Sequence, residues 1–142
     1  MMATDRSGYV TSSLSQRWND AFADSTGEAF AALMSPDVEL DGCIFTRPVH
    51  GHHAALMTLA TASGIYDALT FARESVTGSR FYLEWSATAL GMRMDGVTIL
   101  DSDDLGRVTW VAVYQRPLAA VLTFSTEMAR RLGTNPIADH FY

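Results

Sequence analysis

Residues Arg80–Arg116 read RFYLEWSATALGMRMDGVTILDSDDLGRVTWVAVYQR. In Arg80–Leu90 the odd positions Phe81, Leu83, Trp85 and Ala87 are apolar, and the even positions Tyr82, Glu84, Ser86 and Thr88 all carry a polar group. A period of two is strand periodicity, with one face turned to a core and the other to water. Met92–Asp101 and Arg107–Arg116 follow, and the second is rich in β-formers: Val108, Thr109, Trp110, Val111, Val113 and Tyr114. Gly91, Asp95-Gly96 and the polar run DSDDLG mark turns or bulges. Strands joined by connections this short run antiparallel.

Working outward, Leu69–Thr77 is a fourth strand, joined to the third by Thr77-Gly78-Ser79. Pro117 stops the last strand. Leu118, Val121, Leu122, Ser125, Met128 and Leu132 then form an amphipathic stripe, which predicts a C-terminal helix over 118–132, closed by Gly133. Upstream, Ser12 or Ser13 caps a helix from Leu14, with Leu14, Trp18, Ala21 and Phe22 on one face. A short helix over Glu28–Met34 ends at Pro36. Val38, Leu40 and Gly42 alternate with Glu39, Asp41 and Cys43 as a strand, TRPVHG is loop, and a helix runs from His52 to Tyr66. This order predicts a single α+β domain over 1–142. It is a conical barrel of a strongly curved, mainly antiparallel sheet, with helices across its concave face and an appended helix. Residues 1–11 read as a loose tail.

Composition sets limits. The 142-residue chain is 48% hydrophobic and 18% charged, which fits a folded globular protein. A formal net charge of −6 argues against nucleic-acid binding, which needs a concentrated basic face. One cysteine, Cys43, excludes an internal disulfide and a cysteine-rich metal site. No apolar run is long enough to span a bilayer, and the N-terminus lacks a signal-peptide core, so the expected location is cytoplasmic.

The segments QRW…AF, FAALMSPDVELDG, RPVHGHHAA and DGVTILDSDDLGRVTWVAVYQRPL together resemble the nuclear-transport-factor-2-like superfamily, and within it the SnoaL-like and ketosteroid-isomerase-like proteins. The resemblance spans roughly residues 14 to 118 and implies a cone with an apolar pocket. Isomerases of this kind use a carboxylate base on the first strand, a tyrosine on the first helix and a protonated acid on a later strand. The corresponding positions here hold Gly42, Trp18 and Thr98. The water-clamping residues of the related epoxide hydrolases correspond to Trp85, Ala87 and Val113. None of these six residues is an acid or a base. The indole of Trp18 and the hydroxyl of Thr98 still donate hydrogen bonds.

The remaining candidates have plain alternatives. Asp41 shares an outward face with Glu39 unless a bulge at Gly42 turns it in. Arg93 and Asp95 read as an exposed ion pair. Asp101, Asp103 and Asp104 lack the later glutamate of a calcium loop and read as a hairpin turn. His50 and His52 have zinc-like spacing. However, Gly51 reads as a turn before a helix, and His52 and His53 fall in its first turn, where the dipole disfavours the imidazolium. A loop-and-helix-entry role is favoured over catalysis or chelation.

The sequence therefore leads to a protein that binds a compact hydrophobic molecule (terpenoid, steroid-like, polyketide or aromatic). Its pocket is expected to be formed by Trp18, Leu40, Leu83, Trp85, Ala87, Thr98, Val111, Val113 and Gln115. The alternatives are an isomerase, dehydratase or cyclase with a relocated base at Asp41, His50 or His53, and an interaction domain with a filled cavity. No cofactor or metal is expected. Trp110, Ala112 and Tyr114 face outward, and large residues there predict a homodimer.

Overall fold

Ser13 accepts a hydrogen bond from Gln16 N–H at 3.2 Å and so starts helix α1, Leu14–Ala21. The computed structural model describes residues 13–24 and 26–142, so the expected tail over 1–11 lies outside the described residues. Asp24 accepts from Ala29 and Thr26 N–H at 3.0 and 3.1 Å and shapes the connection to α2, Glu28–Leu33. These bonds hold the Asp24 carboxyl below its ordinary value.

Three boundaries differ from the sequence reading. Met34 does not end α2 but opens strand β1, Met34–Gly42, so Pro36 lies inside a strand. Pro36 is tolerated because it is exposed and falls in the register shift between Met34 and Glu39, where no ladder bond needs its missing N–H. The expected loop contains a two-residue strand β2, Val49–His50, pairing Glu39 with His50 and Leu40 with Val49. Helix α3, His52–Ser63, stops at Gly64, so Tyr66 begins strand β3, Tyr66–Thr77, instead of ending the helix.

The predicted meander follows as β4, Arg80–Ala89, β5, Met92–Ser102, and β6, Val108–Arg116. Helix α4, Leu118–Leu132, and a 3-10 turn over Pro136–His140 complete the chain. The strand order is β2-β1-β6-β5-β4-β3, and the β1–β6 pair is parallel while the others are antiparallel. The end strands β2 and β3 do not pair, so the sheet is curled, not closed into the expected barrel. Register shifts in β1, β3 and between β5 and β6 supply the bends that curl it.

The inner row of the sheet, including Leu40, Leu83, Met94, Leu100 and Val111, packs under α1, α2 and α3 through Trp18, Phe30 and Leu59. Burying such large side chains contributes about 1.5–3 kcal/mol each relative to exposure. The C-terminal segment latches onto the loop after β1. Ser125 Oγ donates to Ile44 O at 2.6 Å and accepts from Tyr142 N–H at 2.8 Å, and the Phe45 and Phe141 rings lie 5.1 Å apart. Among the described residues no helix is long and apolar enough to cross a membrane.

Candidate functional site

A cavity lies between the helices and the concave face of the sheet. Helix α1 supplies Trp18, β1 supplies Leu40, and β4, β5 and β6 supply Trp85, Thr98, Val111 and Val113. Helix α3 adds Thr58, Leu59 and Ala62, and Ile44 and Phe45 come from the loop after β1. Phe22, Tyr66, Leu69 and Phe71 are half-buried side chains that also line it. The free space is about 40 Å³. One water needs about 10–15 Å³, so the hole is roughly three waters large, far below the ~300–1,000 Å³ of drug-sized sites.

Its wall is packed aromatic edge against aromatic face. Trp18 is fully buried, with Phe30 at 5.2 Å and Phe22 at 6.1 Å between ring centroids. Trp85 lies over Gly96, its cross-strand partner on β5. A Cβ at position 96 would fall 2.4 Å from Trp85 Cζ2, so the glycine is the seat of the indole. Tyr66 meets Trp85 at 5.5 Å and Phe124 of α4 at 4.7 Å, and its hydroxyl donates to Gln115 Oε1 at 3.1 Å. Burial pushes the Tyr66 phenol well above its ordinary value, so it stays neutral.

Among the described residues, three side-chain nitrogens are buried with no hydrogen-bond partner: Trp18 Nε1, Trp85 Nε1 and Gln115 Nε2.

The sequence candidates separate into groups. Trp18, Leu40, Trp85, Thr98, Val111 and Val113 meet around the cavity. Leu83 and Ala87 are buried in the core without lining it, and Gln115 reaches it through Tyr66. Asp41 borders the cavity. Its register partner is Ala112 of the outward row, and its Oδ1 accepts from Gly42 N–H at 2.8 Å. Gly42 itself does not line the cavity; Leu40 and Asp41 are the β1 residues that do. Position 42 also has φ +140°, and a Cβ there would lie 2.2 Å from Val113 O, so this backbone admits no side chain at that point.

The histidines do not converge on the cavity. His50 is 70% exposed, with Nδ1 at 3.3 Å from Glu39 Oε1. His53 is exposed, while His52 Nε2 bonds Ala31 O at 2.9 Å and ties α3 to α2. Gly51 makes the turn into α3 with φ +95°. Among the described residues no group of three or more His, Cys, Asp or Glu is placed to hold a metal. Asp103 is occupied as a turn former, accepting from Leu105 N–H, Arg107 N–H and Arg107 Nε–H at 2.9–3.0 Å.

Sequence reasoning missed the lining from Phe22, Ile44 and Phe45, from Thr58, Leu59 and Ala62 of α3, and from Tyr66, Leu69 and Phe71 of β3. Phe22 carried the signal of α1 periodicity. Tyr66 carried none, because it follows α3 without a break in apolar character.

The sequence matches no family model and no curated protein. Solved structures do match. An uncharacterized protein conserved in bacteria with a cystatin-like fold, from Silicibacter pomeroyi DSS-3, is 18% identical with a TM-score of 0.81 over 86% of each chain. A steroid delta-isomerase from Pseudomonas aeruginosa is 24% identical with a TM-score of 0.77, over 84% of this chain and 88% of that one. This chain has the cystatin-like fold. A hypothetical protein with a ketosteroid-isomerase-like fold from Catenulispora acidiphila DSM 44928, in complex with trimethylamine, is 16% identical over 82% of this chain and 95% of its own, with a TM-score of 0.65. The cystatin-like fold accounts for the curled sheet and the helices inside it. It hosts unrelated activities, so the chemistry of the cavity must decide function.

Proposed function

We propose that this protein binds a compact hydrophobic small molecule in the cavity under α1 and α3, without an acid–base pair of the isomerase or epoxide-hydrolase type. The observation that carries this is the wall itself. It is apolar and aromatic, with Asp41 the one carboxylate at its border, and Gly42, which stands at the base position of the isomerases this chain resembles, does not line it. The small free volume favours the compact end of the ligand range, a single ring or a small terpenoid. A steroid would require the half-buried Phe22, Leu69 and Phe71 to move.

The test is a titration with monocyclic aromatics, monoterpenoids and steroids, followed by tryptophan fluorescence and calorimetry. Saturable binding should fall off with ligand size and disappear in Val111→Phe, which fills the hole. Flat titrations across the whole panel would overturn the proposal.

Asp41 at the cavity edge favours a second reading, an enzyme using that carboxylate. Turnover of a bound compound that disappears in Asp41→Asn while binding persists would establish it. The proposal extends to assembly. Trp110 and the 48% exposed Tyr114 lie on the outer sheet face with Tyr82, Val97 and Ile99, and a second copy would cover them.

A further inference from the structure

We infer that the cavity is the inner part of a longer site, whose outer part is the cleft between the end of α1 and the start of β3. Its ligand is a compact apolar head with a flexible tail that ends in a hydrogen-bond donor, a hydroxyl or an ammonium group, beside Asp20. The inference rests on the binding proposal above and adds the tail and the place where it lies.

Asn19, Asp20 and Phe22 line the cleft from the end of α1, and Ser63, Tyr66 and Leu69 line it from the end of α3 and the start of β3. Phe22, Tyr66 and Leu69 also line the cavity. Two other clefts share one residue each with it, Trp85 and Phe71. The free space of the cleft is about 380 Å³, against about 40 Å³ inside. The inner space therefore sets the size of the head, and the outer space reaches the small-molecule range. The three shared side chains are held unequally. Tyr66 is fixed by Gln115 and by the Trp85 and Phe124 rings. Phe22 is fixed among Trp18, Phe30 and Tyr66 at 4.9–6.1 Å between centroids. Leu69 is half-buried on an edge strand. The register with β4 steps from Asp67–Thr88 to Thr70–Ser86, so Ala68 and Leu69 together stand opposite Ala87 in a bulge. Ala68 has φ +51°, an uncommon conformation for an alanine. Leu69 is therefore the side chain that yields when a tail passes from the cavity to the cleft.

Polarity changes along the same line. The cavity wall is mostly apolar and aromatic, whereas the cleft adds an amide, a carboxylate and a hydroxyl. Asp20 Oδ1 accepts from Gln16 Nε2 at 2.9 Å, which uses one of the roughly four lone-pair sites of a carboxylate. Ser63 Oγ gives its proton to Ala60 O at 2.8 Å, so toward a ligand it accepts. Among the described residues that line the cleft there is no lysine, arginine or histidine. Arg131, which reaches Gly64 O at 3.4 Å nearby, is paired with Glu127 at 2.8 Å. A tail that donates meets acceptors here, and a tail carboxylate meets a like charge at Asp20. Asp20 is exposed, so an ammonium group beside it keeps much of its hydration, which the enclosed cavity would strip away. A flexible tail can pass Leu69 where a rigid polycycle cannot.

The test uses the isotope-labelled full chain and five probes: methylcyclohexane as the head alone, butylcyclohexane, cyclohexylbutanol, cyclohexylbutylamine and cyclohexylbutanoate. Affinity is read by calorimetry and position by nuclear magnetic resonance shifts. Methylcyclohexane should shift the Thr98 and Val111 signals and leave Asn19 and Ser63 in place. The alcohol and the amine should shift Asn19, Ser63 and the Leu69 methyls as well, and bind about fivefold more tightly than butylcyclohexane, which controls for the apolar area of the tail. The carboxylate should bind more weakly than either. Asp20→Asn should remove most of the amine's advantage and narrow the gap to the carboxylate. Equal affinity for alcohol, amine and butylcyclohexane, or tails that leave the Asn19 and Ser63 signals in place, would overturn this inference, while saturable shifts at Thr98 and Val111 keep the binding proposal standing. A carboxylate that binds as tightly as the amine would overturn it too. Absence of saturable shifts at Thr98 and Val111 with all five probes would overturn both.

Discussion

The two faces of one sheet have divided the chemistry between them. The inner face carries Leu83, Trp85, Met94, Thr98, Leu100 and Val111, all buried, and offers hydrogen-bond donors but no paired charge. The outer face carries the ion pairs Arg80–Asp101 at 2.8 Å and Arg93–Asp95 at 3.2 Å, and the contact of His50 with Glu39 at 3.3 Å. Its aromatic Trp110 lies under the Arg80 guanidinium at 5.1 Å. The pairing with Asp101 holds that carboxyl below its ordinary value and the Arg80 guanidinium above its own. Candidate bases read from sequence, His50 and His53, belong to the wet exterior, whereas the residues that met at the cavity are those without titratable function near neutral pH. The lesson is that strand alternation sorts charge from cavity so cleanly that a relocated base has only the margin, at Asp41, to occupy.

The comparison breaks hardest at Gly42, where the inner wall has no room for a charge. Gly42→Asp should destabilise the fold by about 3 kcal/mol in urea unfolding, from the positive φ and the contact with Val113 O, and should confer no isomerase turnover. A stable variant with proton-transfer activity would show that the inner face does accept a base at this position.

The outer face gives the next effect. Trp110→Lys should weaken the proposed dimer by about 2 kcal/mol, roughly thirtyfold in its dissociation constant by sedimentation, because a central buried tryptophan is the commonest interface anchor. A wild-type chain that sediments as a monomer at micromolar concentration removes the outer face from assembly altogether.

The smallest effect lies on α4, away from both faces. Arg130 and Arg131 bond Glu127 at 2.6–2.8 Å and hold its carboxyl down to about 2, against an ordinary 4.5. A carboxyl depressed in the folded state stabilises above its unfolded value and loses that contribution as pH falls toward 2. Stability measured from pH 6 to pH 2.5 should therefore decline less steeply in Glu127→Gln than in wild type. The difference should be slight, because exposed pairs contribute little.

Much of this molecule was legible from residue order. Alternation put Leu83, Trp85 and Ala87 on one face of their strand, since a strand side chain has only two directions to choose from, and the resemblance to the ketosteroid-isomerase-like proteins implied that Thr98, Val111 and Val113 share the inner side. Helical spacing placed Trp18 inward by the same economy. Helix α3 resisted, because it is apolar around most of its surface. Its buried set is Ala55, Thr58, Leu59 and Ala62, while Leu56 and Ala60 approach Gly27 before α2. The short strand β2 was hidden because two residues carry no period.

Sequence by itself determined the long strands of the sheet and the face that β4 presents. These are local properties, set by side-chain period, turn residues and residue type. Only the tertiary structure decided how much space remains inside. That volume depends on Phe45 and Phe141 stacking where the C-terminus returns to β1, on α4 bringing Phe124 against Tyr66, and on Gly96 letting the Trp85 indole lie flat. Each joins residues distant in the chain, and a cavity is the difference between large packed volumes that no local pattern records.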